Sequence, residues 1–245
     1  MFVLQMLWLI FVSLFLPASS QQCNWADNIV DVETKMELLK SGFHRELEVR
    51  SKISTKSRFT ECQFLYRFTI AAGAYIDMDS INKSMAHHAV HPLAKFDVEA
   101  PCDSSQHQSV LVYSRRMYRK VFLVKDKFSL PVHLRYHKAI EGGIGVNISF
   151  ESPDIFVRCS ANDEAYIKCA KNALKLPCDA DSRRMCMWIL VPQKASKSNV
   201  KGSMPRGDLS YLSVVFGVTC VCVITAVAAL VFVPVKKTIE CKKQS

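Results

Sequence analysis

Three absences narrow the reading of this 245-residue chain before any positive signal is weighed. It has no nucleophile elbow, phosphate loop or dinucleotide fingerprint; its one glycine cluster, Gly142-Gly143-Ile-Gly145, lacks the G-x-G-x-x-G spacing and reads as a hairpin turn. No C-x-x-C pair occurs among its ten cysteines, which argues against a zinc site and for disulfides. Although the net charge is +10, there is no long basic run or Arg-rich helix, so nucleic acid is not an expected partner.

What is present begins at the two ends. Residues 211–233 form an uninterrupted apolar run without a charge, long enough to cross the roughly 30 Å hydrocarbon core of a bilayer as a helix. Pro234 is expected to stop that helix, with Lys236 and Lys237 at its exit. Residues 1–16 carry no acid or base, and Ala18 and Ser20 stand at the spacing a signal peptidase needs, so residues 1–20 read as a cleaved signal peptide, with a retained anchor as the alternative. The two signals together predict a single-pass type I membrane protein: residues 21–193 a lumenal or extracellular domain, 194–210 a Lys/Ser/Gly-rich stalk, 211–233 the membrane helix, and 234–245 a cytosolic tail. Lys242 and Lys243, the fourth and third residues from the C-terminus, match a dilysine signal for retrieval to the endoplasmic reticulum membrane; a generic positive-inside cluster is the competing account. Ser213 and Gly217 share a helix face that would let a neighbouring membrane helix approach closely.

Between the ends the pattern is β. In Cys62-Gln-Phe-Leu-Tyr-Arg-Phe-Thr-Ile70, Phe64, Tyr66, Phe68 and Ile70 alternate with period two, as on a half-buried strand. Shorter runs follow at 110–113, 120–124, 130–137, 145–150, 154–159 and 187–191, and turn residues separate several of them. The expected fold is mainly β, a sandwich-like disulfide-bonded domain, with only 30–39 and 164–174 looking helical. Disulfide candidates are Cys62, Cys102, Cys159, Cys169, Cys178 and Cys186; the close spacing of the last four predicts local bridges among them, and Cys23 is the expected odd thiol. Two sequons begin at Asn82 and Asn147, and strand alternation points Asn147 outward, where it can carry a glycan.

Two histidine groups invite chemistry. His133 and His137 have the spacing of a zinc-protease helix, but Leu134 and Arg135 occupy the places between them where the glutamate base belongs. Pro131 favours a strand instead, on which His133, Arg135 and His137 project from an exposed face opposite Val132, Leu134 and Tyr136; that face is either a contact surface or an ordinary solvated one. His87-His88-x-x-His91 lies beside Pro92 and reads as a loop without an acidic or cysteine partner at ligand spacing. Neither group assembles a catalytic pair, and no cofactor is expected. Arg206-Gly207-Asp208 spells an integrin-type tripeptide too close to the apolar run to seat a large receptor.

Leu130-Pro-Val-His-Leu-Arg-Tyr-His137, then Gly142-Gly143, then Glu151-Ser-Pro-Asp-Ile-Phe-Val-Arg-Cys159, resembles the signature region of the PIG-X family. Phe43-His-Arg-Glu-Leu, Ala74-Tyr-Ile-Asp77, Asp97-Val-Glu-Ala-Pro101, Cys186-Met-Trp188 and Pro205-Arg-Gly207 fit in the same order, with Ala139 standing where the resemblance leads one to expect proline. The resemblance implies a non-catalytic subunit that stabilises PIG-M, the multi-pass mannosyltransferase adding the first mannose to the glycosylphosphatidylinositol (GPI) precursor. It also suggests His133, Arg135, Tyr136 and His137 as the partner contact. A lumenal lectin-like or cargo-binding receptor would share the same topology and tail.

Overall fold

The computed structural model describes residues 28–59, 61–159, 173–181, 184–193 and 198–243, with the side chains of 82–84 and 233–243 excepted. Residues 1–20, Cys23 and Cys169 lie outside the described residues, as do the side chains of Asn82, Lys242 and Lys243.

Among the described residues the chain builds twelve strands in three sheets. One has the order β1 (Ile29–Leu39), β2 (His44–Phe59), β7 (Val121–Leu134), β4 (Ala74–Ile76). A second has the order β10 (Ala173–Pro177), β11 (Met185–Leu190), β9 (Asp154–Cys159), β3 (Cys62–Ile70), β6 (Gln108–Ser114), β5 (His88–Pro92). Strands β12 (Asn199–Met204) and β8 (Val146–Glu151) form a third, two-stranded sheet. Alternation dictates the packing. Leu47, Val49 and Ile53 of β2 and Val124, Phe128, Leu130 and Val132 of β7 meet Phe64, Tyr66, Phe68 and Ile70 of β3 in one core. The opposite face of the six-stranded sheet is covered as well, with Leu65, Leu111, Tyr113, Phe156 and Trp188 in a second cluster. There the Tyr113 hydroxyl and Trp188 Nε1–H both donate to the Pro177 carbonyl, at 2.9 and 3.1 Å.

The fold is mainly β, as expected, and Cys62–Ile70 and Asp154–Cys159 have the boundaries read from sequence. Four local expectations differ. Residues 30–39 are strand β1, paired along their length with β2, because an available edge outweighs the helix-favouring Glu, Lys, Met and Leu of the segment. The 120–124 and 130–137 runs are a single strand ending at Leu134. Gly142 and Gly143, at φ 79° and 57°, do turn the chain, but they join β7 to β8, which pairs with β12 instead of forming a hairpin with β7. Residues 199–204, expected in a stalk, are strand β12.

Cysteine pairing follows strand register. Cys62 and Cys159 stand opposite each other in the β3–β9 ladder and are bridged across 97 residues, so Cys159 does not join a local bridge. Cys178–Cys186, eight residues apart, is the local bridge expected. Cys102 is free and half-buried.

Helix α1 (Met78–Ser84) is capped by Asp77, whose side chain accepts from the backbone N–H of Asp79 and Ser80. Helix α2 (Leu212–Lys243) runs through Pro234 instead of stopping there. The stretch Leu209–Phe232 is long and apolar enough to cross a membrane, and none of it is buried against the rest of the protein.

Candidate functional site

The end of β7 gathers segments that lie far apart in sequence. His133 faces His44 in β2 on one side and Tyr75 in β4 on the other. Its Nδ1 lies 2.9 Å from the Tyr75 hydroxyl and its Nε2 3.2 Å from Asp77 Oδ2. Burial and the nearby His44 imidazole hold the His133 pKa below its ordinary value, outweighing the Asp77 carboxylate. A neutral ring satisfies both neighbours, with Nε2–H donating to Asp77 and Nδ1 accepting from Tyr75. Burial pushes the Asp77 carboxyl up, but hydrogen bonds from Ser80 and Asp79 and the adjacent His133 together hold it below the usual carboxylate value.

Arg135 lies on the side of β7 away from Leu134 and shares the Tyr75 ring with His133, but that face is covered there. Strand β7 ends at Leu134, and beyond it the Arg135 N–H donates to the Gly73 carbonyl at 2.7 Å. The Arg135 side chain is only 3% exposed and its guanidinium lies 4.8 Å from the centre of the Tyr75 ring. It donates to the carbonyl oxygens of Asp97 at 2.6 Å, Val98 at 3.2 Å and Ala100. Arg135 is therefore not on an exposed face: it clamps the 97–100 loop onto the sheet. Burial lowers its pKa from the ordinary guanidinium value.

The alternation breaks at Tyr136, past the end of β7. Tyr136 is 73% exposed instead of lying on the core side, with its ring 4.6 Å from that of Phe43. Its carbonyl accepts from the Cys102 N–H at 3.1 Å, and the Phe43 carbonyl accepts from the Leu134 N–H at 2.8 Å. His137 is partly buried and turned back, its Nδ1 3.0 Å from the Arg135 carbonyl. Of the four candidate residues, Tyr136 alone presents most of its side chain to solvent. The half-buried Phe43 packs against it, while the exposed His44 sets its ring 4.0 Å from that of His133; neither was among the candidate residues.

The pieces Phe43-His44, Ala74–Asp77, Asp97–Pro101 and His133–His137 thus form one assembly. Gly207 joins it through Ala139: a β-carbon on Gly207 would lie 3.2 Å from that of Ala139. Cys186–Trp188 lies elsewhere, in β11.

The other histidine group is not a loop. His88 begins β5, is 3% exposed, and its Nε2 lies 2.9 Å from Asp126 Oδ2. Asp126 also accepts from the Tyr66 hydroxyl at 2.9 Å, which in turn lies 2.7 Å from Ser51 Oγ. Every member of this chain has its partner inside the core, so it ties β2 and β7 to β3 and β5. Among the described residues there is no cluster of histidine, cysteine, aspartate or glutamate able to hold a metal ion. Asn147 is exposed on β8 between the inward-facing Ile148 and the half-buried Val146. Asn82 lies in α1.

What the assembly offers chemically is a rigid surface, with a buried cation and a neutral histidine used internally and an aromatic side chain left outside. The sequence model of the PIG-X / PBN1 family matches residues 40–235, which contain the whole assembly. The chain is also 30% identical over 196 residues to a Homo sapiens protein named GPI alpha-1,4-mannosyltransferase I, stabilizing subunit, covering 77% of this chain and 74% of that one. Proteins of the same name from Rattus norvegicus and Mus musculus are each 28% identical over 196 residues, covering 77% of this chain and 76% and 75% of theirs. The segments that meet around Arg135 and the match spanning most of the sequence agree, and this chain belongs to the PIG-X / PBN1 family.

Proposed function

We propose that this chain is the non-catalytic, stabilising subunit of the GPI mannosyltransferase that adds the first mannose, and that it holds the multi-pass catalytic subunit, PIG-M, in its folded form. The name carried by its relatives is the observation that carries this reading. The aromatic surface at the end of β7 supports it: Tyr136, with Phe43, offers contact area at little conformational cost, as interface aromatics do. His133 and Arg135 act from behind, fixing the loops that shape that surface. The apolar helix spans the endoplasmic reticulum membrane once, with the β domain lumenal, Asn147 glycosylated and Lys242 and Lys243 serving retrieval.

A subunit of this kind needs no turnover of its own. A domain that binds only the native partner stabilises it by mass action, by about 2.7 kcal/mol when present at one hundred times its dissociation constant. The test is purification of the tagged full chain in mild detergent. A multi-pass mannosyltransferase should accompany the wild type and be depleted with Tyr136→Ser. Recovery of glycoprotein cargo without any such enzyme would favour a lumenal receptor instead.

A further inference from the structure

Strand β12 pairs with β8 along its whole length, and the chain that follows is tied down as far as the start of the apolar span. The Ile140 N–H donates to the Gly207 carbonyl and the Leu209 N–H donates to the Ile140 carbonyl, both at 3.1 Å. The Gly142 N–H donates to Asp208 Oδ1, also at 3.1 Å. Since the span begins at Leu209, the loop 140–145 is fixed beside the point where the helix leaves the β domain.

The composition of that loop suits close approach. A β-carbon on Gly143 would lie 3.0 Å from that of Asp208, and one on Gly145 would lie 3.0 Å from the Met204 carbonyl oxygen, so side chains at either place would push the loop off. Between these two glycines stands a bulky apolar residue, Ile144, which is 71% exposed. Leu209 and Tyr211, at the same level of the molecule, are exposed too.

We propose that the 140–145 loop is a membrane-contacting footing: Ile144, with Leu209 and Tyr211, enters the interfacial layer of the leaflet through which the helix passes. The occupant is lipid because three hydrogen bonds and the covalent chain set the loop against the first residues of the span, leaving an apolar side chain where the headgroups begin. The β domain then stands on the bilayer at fixed height and tilt, and Tyr136 is presented at a fixed height above it. Residues 199–208 work as a brace and not as a tether.

The inference rests on the helix crossing the bilayer, and the experiment separates the two. The full chain is placed in phosphatidylcholine nanodiscs with and without brominated acyl chains, and tryptophan emission is read against wild type for Ile144→Trp, Phe122→Trp and Val221→Trp. Phe122 is also exposed but lies at the far end of β7, about 40 Å from Leu134 at 3.3 Å per residue. Val221 lies within the span and reports insertion of the helix. Ile144→Trp should give blue-shifted emission quenched by bromolipid, at a depth of about 5–10 Å as for interfacial apolar faces, with Phe122→Trp unaffected. Quenching of Val221→Trp alone, with Ile144→Trp as open to aqueous iodide as Phe122→Trp, overturns the footing; failure of Val221→Trp to be quenched overturns the span. Photoactivatable lipid carrying its reactive group near the headgroup should label the wild-type peptide containing 140–145, and an unlabelled peptide counts against the proposal even where a variant folds poorly.

Discussion

Replacing Arg135 with alanine should unfold the site and not merely blunt its surface. The guanidinium donates to three backbone carbonyls of the 97–100 loop, and the residue is almost wholly buried. Hydrogen bonds from a charged group are worth about 1.5–3 kcal/mol each; with the lower figure for a loop whose carbonyls water can partly reclaim, the loss is about 4.5 kcal/mol. With a urea slope of about 2.5 kcal/mol/M, suited to a domain of this size, the midpoint falls by about 1.8 M. Arg135→Lys keeps the charge but not the planar fork, and one ammonium cannot serve three carbonyls set around a guanidinium, so it should recover less than half of the loss. Tyr136→Ser is the contrasting variant: that side chain is 73% exposed, and its replacement should move stability by no more than about 0.5 kcal/mol. The assay is urea unfolding of the purified full chain in detergent, followed by the emission of the buried Trp188. An unchanged midpoint for Arg135→Ala would refute the clamp and return Arg135 to the surface.

Removing the Cys62–Cys159 bridge by a double alanine substitution frees a 97-residue loop and should cost about 4.7 kcal/mol by loop entropy, against about 2.5 kcal/mol for the eight-residue Cys178–Cys186 bridge; denaturant midpoints and non-reducing peptide mapping check both. His133 is held below its ordinary pKa, so the unfolded chain takes up protons first: stability should be full above about pH 6.5 and decline below it until the folded His133 titrates, and His133→Gln should flatten that window. Asp77 acts in a separate, lower window, its contribution lost as pH falls from the ordinary carboxylate value through its depressed folded value. Endoglycosidase H should shift the mobility of the wild type, and Asn147→Gln combined with Asn82→Gln should abolish the shift.

The sheet core was legible because burial on one face imposes period two, and Phe64, Tyr66, Phe68 and Ile70 obey it. Alternation said nothing about where a strand stops. Arg135 does share the face of His133 and Tyr75, but the 97–100 loop covers it, and β7 ends at Leu134, so Tyr136 no longer alternates. Strand β12 was hidden for a different reason: a ladder joins backbone groups and needs few apolar side chains, so a Lys/Ser/Gly composition looks like a linker. Its Gly202 is informative only once the Leu38 side chain is seen against it. Disulfide pairing failed for Cys159 because nearness in sequence is a poor guide when register sets Cys62 directly opposite. The segments behind the family resemblance located the site well, but they did not separate the residues that build it from the one that faces outward.

The central claim is that this protein keeps a catalytic partner folded, and the half-life of that partner tests it most directly. In cells lacking this chain and re-expressing either wild type or Tyr136→Ser, the mannosyltransferase catalytic subunit is followed by pulse-chase labelling. The account predicts rapid loss of the partner without the chain, rescue by wild type, and poor rescue by a Tyr136→Ser chain that is itself stable. A partner that persists at normal levels but stays inactive without the chain would contradict it.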